Sequence, residues 1–188
     1  MENNSNYNAE QEEKSLKREI VEWIKTIAMA VILSLIITTF VRPTLVKGVS
    51  MFPTLDQNHY LLLYRMAYAG DKMPKPGDIV VFKSHLLMEN GKGKDLVKRV
   101  IAVEGDHILI RDGKVYVNGT ELTEDYINGG YTDGEISENV PPGYIFAMGD
   151  NRPNSRDSRD PEVGMIPKGD IVGKVFIRLF PFNRIRTF

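Results

Sequence analysis

The stretch Thr26–Val41, TIAMAVILSLIITTFV, carries no charge and consists mostly of Ile, Leu, Val, Ala and Thr. Extended back to Ile20 it takes in Trp23, which suits a membrane interface, and Lys25, whose long side chain can snorkel. The total is about 20 residues, the length a helix needs to cross a bilayer. A helix packed on one face of a soluble core would carry a polar stripe, and this run is apolar all round. A cleavable signal peptide would end in a small-x-small site, whereas Phe40, Val41, Arg42 and Pro43 follow here. Residues 20–41 therefore read as an uncleaved signal anchor. Lys14, Lys17, Arg18 and Lys25 precede or open the span, and Arg42 and Lys47 are the nearest cations after it. That bias predicts a cytoplasmic N-terminus and a downstream domain on the far side of the cell membrane. Residues 1–19 are polar and mixed in charge, without the apolar content to build a core, and are expected to form a flexible or frayed helical tail.

Past Pro43 the pattern changes from one long apolar run to many short ones. Apolar or β-branched segments recur at 59–64, 78–82, 96–103, 107–110, 114–117, 144–148 and 171–180, divided by KPGD, VEGD, RDGK, VNGT and NVPPG. ILIRDGKVYV, with Asp-Gly at its centre, has the composition of a tight hairpin. No long 3.6-residue stripe follows the anchor. Residues 42–188 are thus expected to form a mainly β domain, a coiled antiparallel sheet. The Gly-rich acidic stretch 119–143 reads as a peripheral excursion.

Composition removes several classes of function. The formal net charge is −1, which argues against a nucleic-acid partner. Cysteine is absent, so disulfides, thiol catalysis and cysteine-bound metals are excluded. His59, His85 and His107 are far apart and show no metal-ligand spacing, so neither a metal nor another cofactor is expected.

Three patches can carry chemistry, and each also has a plain structural reading. Ser50 lies in VKGVSMFPTL a few residues beyond the anchor, either as a turn residue or as a nucleophile near the membrane surface. Lys98, in LVKRVI, shares one strand face with Leu96 and Val100. It is either an edge-strand lysine that blocks aggregation or a desolvated amine of lowered pKa, able to act as a base. GDNRPNSRDSR, 149–159, is either a solvated loop or a polar network that positions a neighbouring site. Its three arginines disfavour a calcium loop. A fourth patch, GDIVVF at 77–82, reads as a turn feeding a strand.

Together these patches resemble the type I signal peptidases. The family's Ser-Met-x-Pro-Thr is matched by Ser50–Thr54, its Lys-Arg-(Ile/Val)-Ile leading to Gly-Asp by Lys98–Ile101 and Gly105-Asp106, and its Gly-Asp-Asn-Arg and Ser-x-Asp-Ser-Arg by 149–152 and 155–159. Order and spacing agree from Ile20 to the C-terminus. The resemblance implies a Ser/Lys dyad in which Ser50 attacks the scissile carbonyl and Lys98 shuttles its proton. It further implies that the Ser50 amide forms part of the oxyanion hole, that Ser155 orients the lysine and that Asp157 and Arg159 support it. Val46, Gly48, Met51, Leu55 and Val97 align with the substrate-binding positions, where shallow pockets select Ala-x-Ala. The implied partners are signal peptides of exported preproteins and the lipid bilayer. Gly48 stands where some relatives carry a second oxyanion donor, as in many Gram-positive members, and Glu104 where Pro is common.

Two rivals compete with this reading. A self-cleaving repressor-type Ser/Lys protease would need a DNA-binding domain and an internal Ala-Gly bond, and only Ala69-Gly70 is present. A non-enzymatic anchored scaffold would leave Ser50 unreactive toward acylating agents.

Overall fold

A computed structural model describes the backbone of residues 2–88, 91, 93–127 and 129–188, and side chains from residue 16 onward. The chain divides into two compact units, residues 1–40 and 41–188. The first is a single helix, α1 (Glu2–Phe40). Its described backbone includes most of the segment expected to be a tail, while Met1 and the side chains before Leu16 lie outside the described residues. Within α1, Leu16–Phe40 is long and apolar enough to cross a membrane. At about 1.5 Å per residue these 25 residues extend roughly 37 Å, more than a hydrocarbon core about 30 Å thick. The helix stops at Phe40 because Val41 opens a strand and Pro43 cannot donate to a helical ladder.

The second unit consists of two antiparallel sheets. The larger contains β1 (Val41–Leu45), β2 (Tyr60–Tyr64), β3 (Ile79–Leu87), β4 (Gly93–Val103), β9 (Tyr144–Met148), β10 (Ile166–Pro167), β11 (Ile171–Phe180) and β12 (Arg186–Thr187). The strand order is β1-β2-β11-β3-β4-β9-β10, with β12 paired to β11. Register shifts within β11 and between Val100 and Ala102 of β4 bend the sheet, as bulges do. The smaller sheet, ordered β7-β6-β5-β8, contains β5 (His107–Arg111), β6 (Lys114–Val117), β7 (Thr120–Glu121) and β8 (Ile136–Asn139). Its two tight turns follow from local chemistry. Asp112-Gly113 and Asn118-Gly119 all have positive φ, as primed two-residue turns require.

Each of the seven segments expected as strands forms one. The short β1, β7, β8, β10 and β12 were not foreseen, since two- to five-residue pairings depend on a neighbour rather than on their own pattern. One buried cluster joins the sheets, with Ile101, Phe146 and Met148 of the larger packed against Ile108, Ile110 and Val115 of the smaller. A second cluster on the larger sheet gathers Val46, Met51, Leu55, Leu61, Leu63, Ile79, Val81 and Val175. The stretch 119–143, expected to be peripheral, supplies β7, β8 and the buried Thr132 and Val140. GDIVVF is structural as expected: Asp78 accepts hydrogen bonds from Tyr68, Lys174 and the Lys75 amide, tying the start of β3 to β11.

Candidate active site

Ser50 sits in a tight turn between β1 and β2. The chain enters it at Gly48 with φ +101°, a value that disfavours any side chain there. The turn closes through Phe52 N–H to Val49 O at 3.0 Å and Leu55 N–H to Met51 O at 2.8 Å. That winding puts Met51 and Leu55 on one face, and both turn into the core, at 1% and 0% exposure. They do not line the adjoining cleft, whereas Val46, Gly48 and Val97 do. Ser50 is left half-buried at the rim, and its amide N–H makes no hydrogen bond among the described residues.

Lys98 reaches the same point from β4. Its neighbours Leu96 and Val100 are buried, Val80 stands opposite it on β3, and Lys98 itself is 1% exposed. Its Nζ donates to Ser50 Oγ at 2.6 Å. Among the described residues no carboxylate pairs with the amine. Burial disfavours the ammonium and lowers the pKa to about 8, against an opposing pull from Asp157. An edge-strand guard would be exposed and charged, and Lys98 is neither exposed nor paired.

The polar loop after β9 packs against this pair. Asn151 N–H donates to Ser50 O at 2.9 Å, and Asn151 Nδ2 donates to Val49 O at 3.0 Å. A Cβ on Gly149 would collide with both the Ser50 carbonyl oxygen and Ser155 Oγ, so only glycine allows the loop this close. Gly149 N–H donates to Asp157 Oδ2 at 2.9 Å. Arg159 grips both oxygens of Asp157, at 2.8 and 2.9 Å, and also donates to the Arg152 carbonyl. Arg152 Nε returns to Gly149 O at 3.1 Å and closes the ring. Beside it Arg99, next to Lys98 in the chain, holds Asp150 through two bonds of 2.8 and 2.7 Å. Ser155 Oγ is buried without a hydrogen-bond partner among the described residues, so no bond from it to Lys98 is formed.

Sequence reasoning missed three residues here. Glu124 pairs with Arg152, Thr132 Oγ1 accepts from the same guanidinium, and the Tyr126 ring lies 4.0 Å from Arg99. All three come from the stretch read as peripheral. The one available signal was a tyrosine and an acid inside a polar run, which does not separate them from solvated neighbours.

A cleft of about 670 Å³ runs alongside Ser50 and Lys98. One wall is 44–50 and the other 94–98, with Asn154 and Arg156 at the loop end. β4 pairs with β9 from Arg99 onward, so between 94 and 98 its second edge has no strand beside it among the described residues. An extended peptide can add to such an edge through its backbone. Among the described residues no group of His, Cys, Asp or Glu is arranged to hold a metal ion.

A hydroxyl held against a buried amine, beside a cleft shaped for an extended chain, is the equipment of a serine peptidase. Comparisons with known proteins agree. Residues 20–180 match the family model described as signal peptidase, peptidase S26, and the chain belongs to that family. It is 37% identical to signal peptidase I of Bacillus licheniformis, over 93% of this chain and 97% of the relative. It is 38% identical to signal peptidase I P of Bacillus subtilis subsp. natto, over 93% and 96%, and 35% identical to signal peptidase IB of Staphylococcus aureus strain COL, over 91% and 95%. The crystal structure of a signal peptidase I from Enterococcus faecalis V583 is 31% identical, with a TM-score of 0.45, and the match covers 56% of this chain and 98% of that one.

Proposed function

We propose that this chain is a membrane-anchored endopeptidase that removes N-terminal signal peptides from exported preproteins by a Ser50/Lys98 dyad, cutting after a small-x-small motif. The observation that carries this reading is the 2.6 Å contact between Ser50 Oγ and the fully buried Lys98 Nζ. With the amine neutral, the Ser50 hydroxyl turns its proton toward Nζ and the oxygen attacks the scissile carbonyl. The Ser50 N–H, without a hydrogen bond among the described residues, faces the developing oxyanion. Lys98 then returns its proton to the departing amine, and water repeats the cycle on the acyl-enzyme. An amine with a pKa of about 8 suits both halves, since it gains and loses a proton near neutral pH.

The substrate lies extended between 46–49 and the open edge of β4. Val46 and Val97 line the cleft beside the dyad, at the positions where the family's shallow pockets select an Ala-x-Ala sequence. Residues 20–41, most of them in the span-length segment Leu16–Phe40, form the anchor, residues 42–188 the catalytic domain, and the excess of preceding Lys and Arg sets the N-terminus on the cytoplasmic side.

The test is to incubate the full chain in detergent with a preprotein carrying an Ala-x-Ala signal peptide and locate the cut by mass spectrometry. Cleavage after the second Ala by wild type, and none by Ser50→Ala, is the expected result. Undiminished cleavage by Ser50→Ala rejects the dyad.

A further inference from the structure

The distance between Ser50 and Lys98 depends on two segments far apart in sequence. Lys98 rides on β4, and Ser50 is braced by the loop 149–151, whose Gly149 and Asn151 pack against the Ser50 carbonyl. One loop of the smaller sheet, between β7 and β8, holds both segments. Both carboxylate oxygens of Glu124 accept hydrogen bonds from the Arg152 guanidinium, and the two side chains are 8% and 1% exposed. Thr132 Oγ1 accepts from the same guanidinium. The third arm of Arg152, its Nε, is thereby aimed at Gly149 O. Tyr126 donates its hydroxyl to Glu124 Oε1 at 2.8 Å, and its ring lies 4.0 Å from the Arg99 guanidinium carbon. Arg99 adjoins the base in sequence and holds Asp150, which adjoins Gly149. Both segments that set the dyad distance are thus held from the Glu124 carboxylate, one through Arg152 and one through Tyr126.

We infer that Glu124 is a positioning residue for the Ser50–Lys98 pair, acting through Arg152 and Gly149, with Thr132 and Tyr126 as its partners. This rests on the dyad reading given above. Glu124 does not line the cleft, so it has no direct hold on the substrate. Its loss should therefore lower the rate of the chemical step and leave substrate affinity alone. A displacement of about 1 Å at a reacting pair can cost about 100-fold, even when its origin is remote.

The experiment is steady-state cleavage of the Ala-x-Ala preprotein by full-length wild type, Glu124→Gln, Thr132→Val and Ser50→Ala in detergent. Each kcat is normalised to the folded fraction measured by near-ultraviolet circular dichroism. For Glu124→Gln, kcat per folded molecule should fall about 10- to 100-fold with KM unchanged. Thr132→Val keeps its shape and loses one acceptor, and should lose about fivefold in kcat. An unchanged kcat per folded molecule, even with a lower denaturation midpoint, overturns the inference, since Glu124 then serves stability alone. So does a raised KM at constant kcat. If Glu124→Gln does not fold, Thr132→Val decides by the same two measures. Absence of cleavage by wild type, or its persistence in Ser50→Ala, overturns the dyad reading instead and is visible in the same assay.

Discussion

Lys98 and three arginines around it, Arg99, Arg152 and Arg159, are basic side chains largely withdrawn from solvent, yet their surroundings are opposite. Arg99, Arg152 and Arg159 each hold a carboxylate (Asp150, Glu124 and Asp157) through paired bonds, with side chains 12%, 1% and 10% exposed. Among the described residues, the hydrogen-bond partner of the Lys98 amine is the Ser50 hydroxyl, and no carboxylate pairs with it. A buried charge that is matched by a partner fixes geometry, and removing either partner leaves the other stranded. A buried amine without a partner sheds its proton more readily and becomes a base. The arginine region is therefore built to stay charged and still, while the lysine is built to change charge. Planar guanidinium suits the first task, and the readily shifted ammonium suits the second.

The contrast is broken most severely at the dyad itself. Ser50→Ala and Lys98→Ala should each reduce cleavage about a thousandfold or more, and the double variant should be little worse than either. Losses that multiply would show two independent residues. In wild type, kcat/KM should rise with pH through about 8, as the amine loses its proton.

On the arginine side the effect falls on stability. Asp157→Asn strands the Arg159 guanidinium and should cost about 3–5 kcal/mol in a urea titration. Asp157 also favours the Lys98 ammonium, so its loss should move the kcat/KM limb to lower pH. A limb that stays in place or rises would separate the ring electrostatically from the base.

The converse change sharpens the comparison. Lys98→Met removes the unpaired amine and keeps an apolar chain of similar volume. The folded pKa of about 8 lies below the unfolded value, so between the two the unfolded chain binds the additional proton and stability rises with pH. Below the folded pKa the whole penalty is present. At neutral pH Lys98→Met should be inactive yet more stable by about 1–3 kcal/mol. A lower midpoint for Lys98→Met would mean a charged, structurally paired lysine.

The smallest effect belongs to the exposed ion pairs. Arg156 reaches Asp160 and Glu162 at the surface, where solvent screens both contacts. Glu162→Gln should leave the denaturation midpoint unchanged, and a measurable drop would blur the line drawn here between buried and exposed pairs.

Much of this architecture was legible in local patterns. The apolar run that became the core of α1, the seven main strands and the Asp-Gly hairpin each follow from periodicity or turn chemistry within a dozen residues. Ser50, Lys98 and the 149–159 loop each had a plain structural alternative in the sequence, and their resemblance, in order and spacing, to the signal peptidase motifs singled them out. Met51 and Leu55 were placed on pocket walls by their alignment, and a tight turn instead directs both into the core. The Ser155 hydroxyl was expected on the lysine and instead lies buried against Gly149.

The sequence alone determined that an apolar helix precedes a β-rich domain and which residue types could supply nucleophile and base. Only the tertiary structure decided that Lys98 is unpaired, that Ser50 lies within hydrogen-bond reach of it, and that Glu124 and Tyr126 hold the surrounding arginines. The physical reason is range. Periodicity and turn preference act over a few residues and leave a trace in composition. Burial, charge pairing and the resulting pKa depend on which groups meet across 48 residues for Lys98 and Ser50 and 28 for Arg152 and Glu124, and a linear pattern holds no record of that meeting.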